Sequence, residues 1–138
     1  MNVLQGALAL TSGSQLSANR GTGVRAVGAG SWAVQTDCTI DSNGWHGVSA
    51  LEGGSAFIQR SSLAQNLGAG VNAFSKGWAS VMNCSMLHNR FGVWSQNEAC
   101  VEVRGSVVGP SWQADETCLG AASILHLPLP PLLPPPKP

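Results

Sequence analysis

Four asparagines, Asn19, Asn43, Asn66 and Asn89, stand 24, 23 and 23 residues apart, and a spacing this regular leaves few folds open. A Gly-Val pair follows each one within five residues, at Gly23-Val24, Gly47-Val48, Gly70-Val71 and Gly92-Val93. Two positions beyond each valine comes a small residue: Ala26, Ala50, Ala73 or Ser95. Upstream of the asparagines runs a second motif, small-x-aliphatic-x-x-small-x-aliphatic. It is seen at Ala56-x-Ile58-x-x-Ser61-x-Leu63 and Ala79-x-Val81-x-x-Cys84-x-Met86, and continues at Val101-x-Val103-x-x-Ser106-x-Val108. Trp32, Val34, Cys38 and Ile40 fit it if one residue is inserted, and Leu16 sits three before Asn19. Self-similarity on this scale is the mark of a solenoid.

Alternation over three or four residues means a short strand with one buried face, and each repeat offers about three such strands. Val and the small residue of Gly-Val-x-Ala point inward on one strand. The aliphatic before Cys or Ser points inward on the next, and the Cys/Ser-x-aliphatic pair on the third. Successive coils stack in parallel at about 4.8 Å, like residue above like residue. Helical repeats of similar length fail, because no segment carries i, i+3, i+4, i+7 spacing and Gly and Ser interrupt every candidate. The fold expected is all-β, a parallel β-helix of four to five coils. The recurring Asn and Gly are expected at its turns, with the asparagines hydrogen-bonded coil to coil. The repeats cover residues 1–111, ragged before Leu16. An irregular or capping segment follows at 112–125, and a proline-rich disordered tail at 126–138, HLPLPPLLPPPKP, which suits a polyproline II spacer rather than a ladder.

Charged residues make up 10% of the chain, against about 25% in an ordinary globular protein. Seven basic residues balance seven acidic ones, which leaves no basic footprint for nucleic acid or an anionic membrane surface. No apolar run approaches the roughly 18 residues of a membrane helix. The N-terminal MNVLQGALAL carries no positive charge ahead of its apolar stretch and fits a secretory signal poorly, so a cytoplasmic location is the expectation.

The segments GSWAVQTDCTIDSNGWHGVSA, GSAFIQRSSLAQNLGAGVNA and GWASVMNCSMLHNRFGVWS resemble the right-handed parallel β-helix repeats of pectate-lyase-like proteins and of an F-box substrate receptor of ubiquitin ligases. The resemblance covers about residues 8 to 111 and implies a right-handed solenoid. It is specific for fold and silent on activity, because a β-helix serves enzymes, binding modules and structural proteins alike.

Four cysteines raise disulfides and metal. Cys38 and Cys84 share a column two coils apart, roughly 9.6 Å of rise, beyond the roughly 7 Å between Cα atoms that a disulfide spans. They read as buried, reduced thiols packed as small hydrophobes. Reduced cysteines are the simpler expectation for Cys100 and Cys118 as well, with a clasp between the last coil and the tail as the alternative. His46, His88 and His126 fall in different registers and no C-x-x-C occurs, so neither a metal nor any cofactor is expected.

The resemblance implies that a catalytic member would use calcium-binding aspartates with a basic residue, or clustered aspartates with a His and an Arg or Lys. The nearest match here is Asp37 and Asp41, both facing out, beside Arg60 one coil above. That set lacks the further oxygens calcium requires and otherwise reads as a solvated surface pair. The outward column Val27, Leu51, Phe74, Gln96 beside Arg25, Ser49, Asn72, Trp94 is more suggestive, since stacked apolar groups on an outer face can mark a partner groove. Trp45, His46 and Trp94 would supply aromatic platforms for a sugar or peptide. Ice binding needs ranked threonines, and Thr22, Thr36 and Thr39 do not stack. The function expected is a non-catalytic scaffold or binding module for a protein or polysaccharide surface. A polysaccharide lyase or hydrolase, whole or in part, is the alternative. Open strand edges at both ends point to end-to-end association or a longer parent chain.

Overall fold

A computed structural model of the protein describes residues 1–108 and the strand at 112–114. β1 (Asn2–Leu4) and β2 (Leu8–Ser12) open the chain. The first complete coil is β3 (Val24–Val27), β4 (Trp32–Thr36) and β5 (Thr39–Asp41), and the second is β6 (Val48–Leu51), β7 (Ser55–Gln59) and β8 (Ser62–Ala64). β9 (Ala69–Phe74), β10 (Trp78–Met82) and β11 (Ser85–Met86) make the third. β12 (Phe91–Gln96), β13 (Cys100–Arg104) and β14 (Val107–Val108) make the fourth, and β15 (Trp112–Ala114) begins another. Every pairing among them is parallel, in three sheets ordered β1-β3-β6-β9-β12-β15, β2-β4-β7-β10-β13 and β5-β8-β11-β14. The all-β solenoid read from the repeat is the fold.

The inward columns follow from the pleat. Val24, Val48, Val71 and Val93 are fully buried in the first sheet, with Ala26, Ala50, Ala73 and Ser95 two residues on. In the third sheet Ile40, Leu63 and Met86 fill the same role. Burying such a side chain stabilises by about 1.5–3 kcal/mol, and repetition in every coil makes the core a continuous rod.

The asparagine column is a ladder. Nδ2 of Asn19, Asn43 and Asn66 each donates to Oδ1 of the next asparagine at 2.9 Å, and the backbone N–H of each donates to the same oxygen. The turn conformation expected of these residues falls one position earlier. Positive φ belongs to Ala18, Ser42, Gln65 and His88, which frees each asparagine side chain to enter the interior. Nor do the glycines of the Gly-Val pairs turn the chain. A Cβ at Gly47 would lie 2.6 Å from the Gly70 carbonyl oxygen and 3.0 Å from Asn66 Nδ2, so glycine is there to let the ladder pass.

Three further differences from the expectation have physical causes. The coil before Leu16 is not ragged: β1 pairs with β3 and β2 with β4 in unbroken register, and Gln15 bridges Thr39. The first sheet gains β15 beyond residue 111, because a parallel ladder needs backbone groups and not a Gly-Val pair. β4 needs no inserted residue: Ala33 aligns with Ala56 and Gln35 with Ile58, so Ala33 and Gln35 point inward while Trp32 and Val34 point outward. The inner column Ala9, Ala33, Ala56, Ala79 is a stack of alanines, a width no tryptophan fits. Gln35 is fully buried, and neither its Nε2 nor its Oε1 has a hydrogen-bond partner.

Cys38 and Cys84 are buried free thiols, as expected. Beyond packing, they belong to a hydroxyl and thiol column. Backbone N–H groups of Cys38 and Cys84 donate to Ser61 Oγ and Ser106 Oγ at 3.0 Å, and that of Ser61 donates to Cys84 Sγ at 3.4 Å. Burial pushes the Cys84 thiol above its ordinary pKa, which keeps it unreactive. Cys100 is not reduced but disulfide-bonded. Cys118, the other half of the alternative clasp, lies outside the described residues, as do the capping segment after Ala114 and the proline-rich tail.

Candidate functional site

The outer face of the first sheet carries a groove of about 480 Å³. Strand register builds it. Arg25, Ser49, Asn72 and Trp94 stack in one column, and Val27, Leu51, Phe74 and Gln96 in the next, as the repeat implies. The groove therefore crosses four coils along the solenoid axis, roughly 14 Å at about 4.8 Å per step. All six residues singled out from the sequence, Arg25, Leu51, Phe74, Trp94, Trp45 and His46, line it.

Trp45 and His46 reach the groove from the corner between β5 and β6, directly after the ladder residue Asn43. Their rings lie 4.7 Å apart at 49°, and His46 meets Trp94 edge-on at 6.2 Å. Phe91 braces Trp94 from behind at 4.9 Å, with the Arg90 guanidinium over the Phe91 ring at 5.4 Å. Trp45 is 47% exposed and offers an open face, whereas His46 is only 5% exposed. His46 is thus a wall of the groove rather than a platform. Its Nδ1 accepts the Ala69 N–H at 2.8 Å, so the neutral ring carries its proton on Nε2. Burial pushes its pKa down to about 4, and it stays uncharged at neutral pH.

The polar lining is neutral apart from one guanidinium. Ser49 and Asn72 are buried beneath the groove floor, with Asn72 Nδ2 donating to Ser49 Oγ at 3.5 Å, while Arg25 is exposed at the edge. Thr22 and Gln96 complete the rim, and no carboxylate is among the described residues that line the groove. Such a surface stacks on flat apolar faces and exchanges hydrogen bonds with hydroxyls. Among its described residues the one titratable ring, His46, is uncharged near neutrality.

The carboxylates lie elsewhere. Asp37 and Arg60 occupy the turn between the second and third sheets, where Arg60 Nε and Nη2 donate to the two Asp37 oxygens at 2.9 and 3.2 Å. These hydrogen bonds hold the Asp37 carboxyl below its usual range, so it is a poor base. Asp41 accepts from Ser17 Oγ, and from Ser42 Oγ at 3.3 Å. The two aspartates are thus held by different partners. Among the described residues no three His, Cys, Asp or Glu side chains converge in a metal-binding group, and no helix is long and apolar enough to cross a membrane.

A second exposed surface went unrecognised in the sequence. Trp32 and Phe57 stack at 5.8 Å and 13° on the outside of the second sheet, and Trp78 meets them edge-on at 6.3 and 5.1 Å. The signal was present in the spacing of 46 residues between Trp32 and Trp78, two repeats apart. Placing Trp32 inward hid it.

A family model described as right handed beta helix region matches residues 2–113. No curated protein and no solved structure matches the chain.

Proposed function

The chain belongs to the right-handed β-helix family, and we propose that within it this protein is a non-catalytic binding module whose groove holds a short saccharide chain. The observation that carries the reading is the lining itself. The exposed indole of Trp45 and the half-buried indole of Trp94 lie among hydroxyl, amide and guanidinium donors, across four coils, with no carboxylate among the described lining residues. Pyranose rings present an apolar face to an indole and a rim of hydroxyls to neutral hydrogen-bonding groups, and a saccharide running along the axis meets both. A lyase or hydrolase needs an acid and a base at the bound chain. The groove's one titratable ring, His46, is neutral, and Asp37 is committed to Arg60 on another face.

Titration calorimetry with neutral and uronic-acid oligosaccharides of increasing length tests this. Saturable binding of at least one oligosaccharide is expected, without cleavage, and Trp94→Ala should weaken it at least about tenfold. Binding that survives this substitution, or no saccharide binding at all, overturns the reading. Loss of a peptide ligand in the same variant would assign the groove to a protein partner instead.

A further inference from the structure

Donors and acceptors are out of balance in the groove. Several of its described side chains donate and do not accept: the Arg25 guanidinium, the indoles of Trp45 and Trp94, and His46, whose Nδ1 is taken by the Ala69 N–H so that its own proton sits on Nε2. Against them stand only the oxygens of neutral hydroxyls and amides. The lining therefore asks its ligand for acceptors.

His46 is the most rigidly held of these donors. The Ala69 N–H reaches its Nδ1 at 2.8 Å. A Cβ at Gly68 would lie 2.6 Å from Nδ1 and 3.0 Å from Cε1, so backbone of the next coil clamps the ring along that edge. Among the described residues no acceptor engages Nε2, and the buried side-chain atoms left without a partner are those of Gln35 alone. The Nε2 proton therefore meets the groove, in a fixed position, with the Trp45 ring 4.7 Å and the Trp94 ring 6.2 Å from the imidazole. Asn72 stands beside Trp94 in the same column, one coil earlier. Its Nδ2 donates to Ser49 Oγ, which leaves its Oδ1 to accept.

Such a site favours a carbonyl oxygen over a hydroxyl. A sugar hydroxyl that accepts from Nε2–H still has a proton of its own to place, and a buried donor without a partner is costly. A carbonyl oxygen has none. A carboxylate also accepts, but the Arg25 charge lies at the exposed edge and the rings around Nε2 are neutral, so desolvating an anion there costs more than desolvating an amide. An acetamido group supplies the carbonyl, a methyl to lie on an indole face and an N–H for Asn72 Oδ1. Building on the saccharide reading above, we propose that the groove selects oligosaccharides of 2-acetamido sugars, with His46 Nε2–H as the donor that reads the acetamido carbonyl.

The test titrates the full chain with tetramers of N-acetylglucosamine, glucosamine and glucose in the same linkage, which differ only at carbon 2. The N-acetylglucosamine tetramer should bind at least about tenfold more tightly than the other two. It should also shift the His46 Nε2–H resonance, which the glucose tetramer should leave in place. His46→Phe keeps a ring, removes the donor and should bring the three affinities together; where that variant melts early, the resonance of the parent protein still decides. Equal or inverted affinities overturn the proposal, as does an unmoved Nε2–H signal, while binding of any tetramer leaves the saccharide reading standing. A uronate oligosaccharide that outcompetes the N-acetylated one likewise overturns the acetamido selection alone. Failure of all three tetramers overturns it too, and the saccharide reading falls with it only if every other oligosaccharide fails to bind.

Discussion

On the first sheet Ser49, Asn72 and Arg25 interrupt the aromatic rings, whereas on the second Leu8, Trp32, Phe57 and Trp78 cluster across two columns with only Ser55 and Ser80 among them. Both faces are outer columns of the same coils, so the backbone gives each the same pitch. What differs is which positions alternate outward and what occupies them. The mixed face offers hydrogen bonds that a solvated ligand must exchange, which favours specific and reversible contact. The second face offers mostly apolar area, with Ser55 and Ser80 as its hydroxyls, and favours contacts made by excluding water. A parallel solenoid thus separates a mixed polar and aromatic surface from a largely apolar one by a single corner.

The supports of the two faces differ as well, and substitutions can pull them apart. Asn66→Val should have the largest effect. It strands the backbone N–H of Asn43 in the interior, takes from Asn43 Nδ2 one of its two acceptors and leaves Asn89 Oδ1 with the residue-66 backbone N–H alone, at about 3–5 kcal/mol in chemical denaturation. Both faces should be lost together in that variant; an aromatic face that outlives the groove would show that the coils do not unfold as one.

Acid should act on the groove side first. His46 has a pKa of about 4 in the fold against an ordinary 6.5. The unfolded chain therefore binds the proton more readily. The stability this contributes is fully present above pH 6.5 and is lost as pH falls toward 4, up to about 3 kcal/mol. Denaturation midpoints measured across that window should show the slope, and His46→Gln should flatten it.

Gln35→Leu acts beneath the second sheet and in the opposite direction. Replacing a buried, unpartnered amide with an aliphatic side chain in the Ile58 and Val81 column should stabilise by about 1–2 kcal/mol, read as a raised denaturation midpoint with saccharide affinity unchanged. Asp37→Asn should have the smallest effect. The Arg60 pair is exposed on a turn that neither face uses, so saccharide titration and melting should be nearly indistinguishable from the parent.

The coil, its inward columns and the outward pairing of Arg25, Ser49, Asn72 and Trp94 were legible in the sequence, because period-2 alternation at a fixed repeat length determines facing and stacking together. The groove followed from that register. The asparagine ladder was legible as hydrogen bonding but not as conformation, since a side chain's partners follow from stacking while φ depends on where the corner falls. The second sheet was misread at β4 because an apolar pattern was preferred to an unbroken repeat. Counting without an insertion puts Gln35 inside and Trp32 outside, an arrangement hydropathy argues against. The burial of His46 depends on the Ala69 N–H of the next coil, a tertiary partner no local pattern shows.

The asparagine ladder has a bearing on how the protein ages. Asn43 precedes Gly44, the neighbour that offers least hindrance when a backbone nitrogen attacks the side-chain carbonyl and expels ammonia, the route by which asparagine is thermolabile. Folded, that nitrogen donates to the Asn19 carbonyl oxygen at 2.8 Å, and Asn43 Nδ2 is held by Leu16 and Asn66. Packing also demands the glycine, since a Cβ at Gly44 would lie 2.1 Å from the Arg20 carbonyl oxygen. The fold therefore keeps its most perishable dipeptide and shields it. Each excursion to the unfolded state exposes that dipeptide, and an aspartate formed there returns to a ladder missing a donor, so the working life of the molecule is set by how often it opens.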